Sequence, residues 1–285
     1  MFIKIVISSY TMLESMDKVA QKLDDDLSMI VGDIAKDKNI EDFIEDVDLL
    51  EERLKKWHQF GLVTHMRKVR EAFNDEIWGF LDKWGVRDRV ERELSESIDG
   101  VSKKILLEIS IMLHDLGKIV CHGDESVNRG HEMASRELLQ EGYLGGKLEG
   151  YGLTVKQIEY ISRCVETHFS LGQEMRDALK HKGLLNMEYL GSVDNKREID
   201  RLCLRISEKY EDVKIEIGVF FLADCLGKTD VRGGLEVFDR GVAEGRAREE
   251  IERKGLPSEL INAVMQLPLS VKLAEKYLKG VCEGD

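Results

Sequence analysis

The chain has 285 residues, of which 42% are hydrophobic and 34% charged, and a formal net charge of −13. This is a globular composition with enough apolar residues for a substantial core. It excludes a general nucleic-acid binder, which needs an excess of Lys and Arg to displace counterions from phosphates.

No run approaches the ~18 apolar residues of a membrane span. The opening "MFIKIVISS" has Lys4 inside its short apolar stretch and lacks a basic leader, so no signal peptide is expected. The five scattered cysteines (Cys121, Cys164, Cys203, Cys225 and Cys282) form no CxxC pair. They suit reduced thiols in a cytoplasmic setting. With only Pro257 and Pro268 as breakers, nearly the whole chain is free to be helical.

The first series, Leu13, Met16, Ala20, Leu23, Leu27, Ile30 and Ile34, recurs at 3-4 spacing. A second follows at Ile40, Phe43, Val47, Leu50 and Leu54. Both predict amphipathic helices. Residues 11–52 hold fourteen Asp and Glu against four Lys, so most of the acidity lies here. The resulting hairpin either joins two copies into a homodimer or packs its seams on its own core.

Further helices are expected over about 60–83, 87–98, 101–116, 131–141, 154–168, 195–210 and 212–228 by their apolar period. Three more are expected within roughly 234–254, 258–267 and 270–280 by the same criterion. Residues 121–130, 142–152 and 181–195 read as loops. "GYLGGKLEGYG" is glycine-rich but lacks the spacing of a phosphate cradle and follows no strand, so a flexible connection is expected. The fold class is all-α.

Chemistry gathers where helices end. "LHDLGK" sets His114 and Asp115 at the inner end of an apolar run. Burying such a carboxylate is costly unless it is paired or bound to a metal. His65 lies near a helix start, and His131 opens "GHEMASRELL". His168 aligns with Ile161 and Val165, and Asp224 with Ile217, Phe220 and Phe221. Four histidines and two carboxylates on inward faces form a metal nest. Nitrogen and oxygen donors without thiolate suit Mn, Fe, Co, Ni, Zn or Mg. Six ligands exceed one tetrahedral site and suit two metals bridged by a carboxylate.

In this order, and in the phrases "LHDLGK", "GHEMAS", "IEYISRCVETH" and "FFLADCLGK", the chain resembles the HD superfamily of metal-dependent phosphohydrolases. The likeness is to the HD domains of bacterial tRNA nucleotidyltransferases and HD-type phosphodiesterases. It covers about residues 58–230. It implies an HD-domain core at 57–232, an N-terminal helical extension at 1–56 and C-terminal helices at 233–285.

The resemblance further implies that His65, His114, Asp115 and Asp224 bind one metal. His131 and His168 hold a second, and Asp115 bridges the pair. A metal-bound water becomes the nucleophile toward a nucleotide or similar small phosphoester. Lys118 places a cation near the phosphate, or simply stabilises a helix C-terminus. His122 and Arg129 are expected at the substrate, and His58 and His181 at structural or surface positions. Two other classes stay open, a di-iron oxygenase of the inositol-oxygenase type and a non-catalytic regulatory HD module.

Overall fold

A computed structural model describes residues 2–37, 59–121, 130–140, 143–180, 195–233, 235 and 240–283. In chain order its helices are α1 (Phe2–Asp37), α2 (Leu62–Glu71), α3 (Ile77–Trp84), α4 (Arg87–Ser95), α5 (Lys103–Leu113), α6 (Gly117–Val120) and α7 (His131–Gln140). They continue with α8 (Tyr143–Gly150), α9 (Val155–Thr167), α10 (Ser170–Lys180), α11 (Lys196–Lys209), α12 (Lys214–Gly227), α13 (Arg240–Arg253) and α14 (Ile261–Glu283). A π turn over Ala72–Glu76 links α2 to α3. Among the described residues the only strands are β1 (Ser97–Ile98) and β2 (Val101–Ser102), an antiparallel pair closed by an Asp99-Gly100 turn. The protein is all-α.

The chain divides into two compact units, Met1–Val47 with Asp88–His168, and Asp48–Arg87 with Phe169–Asp285. In the first, α5 is buried along nearly its whole length, because "ILLEISIML" offers water no polar face. Ser102 caps its start by accepting from the Ile105 amide at 3.4 Å. α1 lies against α5 and buries Ala20, Leu23, Leu27, Ile30 and Ile34, so this part of its seam is filled from within the chain. α9 packs on both α5 and α7. It begins at a capping box in which the Thr154 side chain and Gln157 satisfy each other's backbone amides. Part of the acidity of α1 is structural, since Asp33 accepts from the Tyr143 hydroxyl at 2.6 Å and Asp26 accepts from Tyr151.

The second unit is built around α12, whose residues are buried from Ile215 to Gly227. α2, α10, α11 and α14 pack around it. The Tyr277 hydroxyl of α14 donates to the Lys214 carbonyl at 2.9 Å. Beside α14, α13 supplies Ala247 and Ile251 to a smaller apolar cluster with Leu260 and Val264.

Three expectations are corrected. Residues 142–152 are not a loop, since α8 occupies most of them and buries Leu144 and Leu148 at i,i+4. The break expected at Pro268 is absent, and α14 runs through it as one helix. An interior proline removes a hydrogen bond and costs about 3 kcal/mol. Burial of Leu267, Leu273, Ala274, Tyr277 and Leu278 on the same helix offsets that cost. Finally, α10 and the β1–β2 hairpin were not expected at all. The predicted helix at 40–54 and nearly all of the loop at 181–195 lie outside the described residues. No helix among the described residues is long and apolar enough to cross a membrane.

Candidate metal centre

The first unit gathers four of the predicted residues at the inner end of α5. His114 ends the helix and Asp115 follows in the turn before α6. His131 opens α7, and His168 follows α9. All four are buried. The Asp115 carboxylate is their common neighbour. Its Oδ2 lies 3.3 Å from His114 Nε2, and its Oδ1 lies 3.2 Å from His131 Nε2 and 3.9 Å from His168 Nε2. Lys118 Nζ donates to Oδ2 at 2.5 Å.

The outer nitrogens of two rings fix their tautomers. His114 Nδ1 is 2.7 Å from the Ile111 carbonyl, and His168 Nδ1 is 2.7 Å from the Val165 carbonyl. A carbonyl only accepts, so each Nδ1 carries the hydrogen and donates. A neutral ring then turns a bare Nε2 lone pair toward a carboxylate oxygen. Two acceptors at such distances need a cation between them, either protons or a metal ion.

Magnitudes favour the metal. The ring centroids of His114 and His168 are 4.8 Å apart, and those of His131 and His168 are 5.4 Å apart. Protonating every ring would set like charges at ~5 Å, roughly 3 kcal/mol of repulsion per pair at an effective dielectric near 20. A divalent ion would leave its imidazole ligands neutral. Asp115, His131 and His168 each offer a ligand atom within 4.8 Å of the others. Metal–ligand bonds of about 2.0–2.2 Å place ligand atoms roughly 3–4 Å apart, so the donors fit a shared ion. Hydrogen bonds from the far nitrogens to main-chain carbonyls are the orientation that metal-binding imidazoles adopt.

Burial alone would push the Asp115 carboxyl up. The positive charge set against it, with Lys118 bonded to Oδ2, outweighs burial and holds it well below its ordinary value. The carboxylate is therefore kept ionised in an apolar setting, as a ligand must be.

Ser135 holds this arrangement, and nothing in the spacing pointed to it. Its Oγ accepts from the Gly117 amide at 2.7 Å and donates to the His114 carbonyl at 2.6 Å, tying the His-Asp turn to α7. Ser135→Ala leaves the buried Gly117 amide unsatisfied. It should cost about 1–3 kcal/mol of stability in urea unfolding. Metal affinity in a competition titration should fall roughly 10–100-fold, as expected of an outer support.

The second unit holds the other two predicted ligands. His65 on α2 and Asp224 on α12 are buried, with Nε2 and Oδ1 3.2 Å apart. His65 Nδ1 faces the Gly227 carbonyl at 3.3 Å. Lys228 Nζ lies 2.8 Å from Asp224 Oδ2. Burial would lower the Lys228 ammonium, but Asp224 beside it reverses this and holds it above its ordinary value.

The phrases "DLGK" and "CLGK" thus do parallel work. In each, the lysine pairs with the carboxylate, and the glycine admits another helix at close range. A Cβ on Gly117 would stand 2.0 Å from the His131 carbonyl oxygen, and one on Gly227 would stand 2.7 Å from the Val69 amide nitrogen. Residues 122–129 lie outside the described ones, and with them His122 and Arg129; His58 and His181 do so too.

Comparisons with protein-family models, curated proteins and solved structures found no match. Fold and site together define an all-α protein with a buried aspartate–histidine cluster that can hold a metal ion.

Proposed function

We propose that the protein is a metal-dependent phosphohydrolase of the HD superfamily. Its substrate is a nucleotide or another small phosphoester. The observation that carries this reading is the Asp115 carboxylate, which faces three imidazoles while Lys118 holds its other side. His114, Asp115, His131 and His168 would hold a divalent ion. The resemblance adds His65 and Asp224 as ligands, and with them an expected content of two ions per chain.

A divalent ion held there supplies Lewis acidity to phosphoryl oxygens and lowers the pKa of water. The chain's residues supply the rest. Lys118 keeps a cation beside Asp115, where negative charge develops on the phosphoryl group. The apolar residues of α5 and α9 keep bulk water out, which strengthens each electrostatic contact. His131, at the start of α7, is the most exposed residue of the four, at 8%.

A cytoplasmic setting and a homodimer belong to the same proposal. The seams proposed for the dimer are those at 13–34 and 40–54.

The test is phosphate release from a panel of nucleotides and phosphodiesters. It is run anaerobically with Mn, Co, Ni, Zn or Mg, with metal content measured alongside. Turnover is expected, and Lys118→Ala should lower it about 10²–10³-fold, the range for one lost electrostatic donor. Strict dependence on iron and dioxygen, or no phosphate released with any metal, would overturn the reading.

A further inference from the structure

Around Phe169, in the second unit, two cations gather among the described residues. Lys228 Nζ lies 5.6 Å from the centre of the Phe169 ring, and the Arg176 guanidinium carbon lies 5.4 Å from it. Among the described residues Arg176 makes no ion pair, and its polar contact is with the Ser270 hydroxyl, 3.3 Å from Nη2. Lys228 has one ion pair, to Asp224. Its side chain is only 22% exposed, so water screens it weakly.

Two partly buried cations share one aromatic ring, and one of them, Lys228, pairs with a carboxylate. The other oxygen of that carboxylate already faces His65. Cation–π contact with Phe169 eases the crowding but brings no counter-charge.

Among the described residues no carboxylate pairs with Arg176, and an anion would suit both cations. Guanidinium offers a planar fork that matches two oxygens of a phosphate, and the ammonium adds a point charge beside it. Sequence ties the group to the proposed metal ligands at two points. Phe169 directly follows His168, and Lys228 stands four residues after Asp224 on the same helical run.

We propose that Arg176 and Lys228, set on Phe169, form a binding site for a phosphate group, with Ser270 positioning the guanidinium. The site goes beyond the phosphohydrolase reading and does not depend on it. Binding of the phosphate itself can be tested independently of turnover.

The experiment is calorimetric titration of the full chain with inorganic phosphate at low salt, with and without added Mn. Metal content is measured separately. Arg176→Gln and Lys228→Gln are each expected to weaken phosphate binding roughly 10–100-fold, the range for a lost charged hydrogen bond. Arg176→Lys should recover part of that loss, which a merely structural role for the arginine would not produce. Unchanged phosphate affinity in both glutamine variants overturns the site. So does a wild type that takes up Mn and binds no phosphate, and this outcome leaves the metal reading standing. Arg176-dependent phosphate binding in a protein that takes up no metal sustains the site and rejects the metal reading.

Discussion

Asp115→Asn is expected to empty the metal centre while leaving the helical fold in place. The asparagine is nearly isosteric, so packing at the end of α5 changes little. It removes the charge that faces three imidazoles and Lys118. The amide turns an N–H toward rings that present lone pairs, and it loses an anionic ligand. Metal content by elemental analysis should fall from about two ions per chain to less than one. Circular dichroism should stay helical, and phosphate release should be lost. A variant that retains its full metal content would show that Asp115 is not a ligand and that its contacts serve only the fold.

Gly117→Ala is expected to damage the same centre through packing alone. The added methyl would fall 2.0 Å from the His131 carbonyl oxygen and 2.5 Å from the Ser135 amide nitrogen. Both are main-chain atoms of α7, so no rotamer change relieves the clash. Either α6 or α7 must move, and with α7 moves His131. Overpacking of this kind costs typically 1–3 kcal/mol, and the upper end is expected here. Urea unfolding should record the loss, and metal affinity should fall with it. Gly146→Ala is the control, since its Cβ meets nothing within 4 Å. It should leave metal binding unchanged and raise stability by up to about 1 kcal/mol through helix propensity. Equal behaviour of the two variants would remove the close approach as the reason for glycine at 117.

The helices that build the site were legible because their apolar periods are strong. α5, α9 and α12 fall where Leu106, Ile109 and Leu113, then Ile161 and Val165, then Ile217, Phe220 and Phe221 predict them. The inward placement of His65, His114, Asp115, His131, His168 and Asp224 followed from the same periods, and each of them is buried. What escaped detection depended on tertiary contact. α8 contains three glycines, which weaken any helix signal, and its stability comes from burying Leu144 and Leu148. Pro268 argued for two helices, and packing against α12 overrode it. α10 was detectable in principle, since Leu171, Met175 and Leu179 recur at i+4 and are buried. Ser135 and the demand for glycine at 117 leave no trace in spacing, because both arise from the approach of one helix to another. Lys228 was foreshadowed only by the repeated "LGK".

The interleaving of the two units sets an order of events during synthesis. The first unit has all its chain once His168 has been made, whereas the second still lacks everything after it. His65 is synthesised 162 residues before Gly227, the residue whose carbonyl receives its ring. At about 5–20 residues per second on the ribosome, that histidine waits roughly 10–30 s for its partner. Meanwhile Leu62, Met66 and Val69, all buried in the finished protein, have no α12 to cover them. The nascent chain therefore passes through a stage with its first unit complete and α2 still bare. In that interval His114, Asp115, His131 and His168 can be assembled and able to take up a metal ion while His65 and Asp224 are not yet joined.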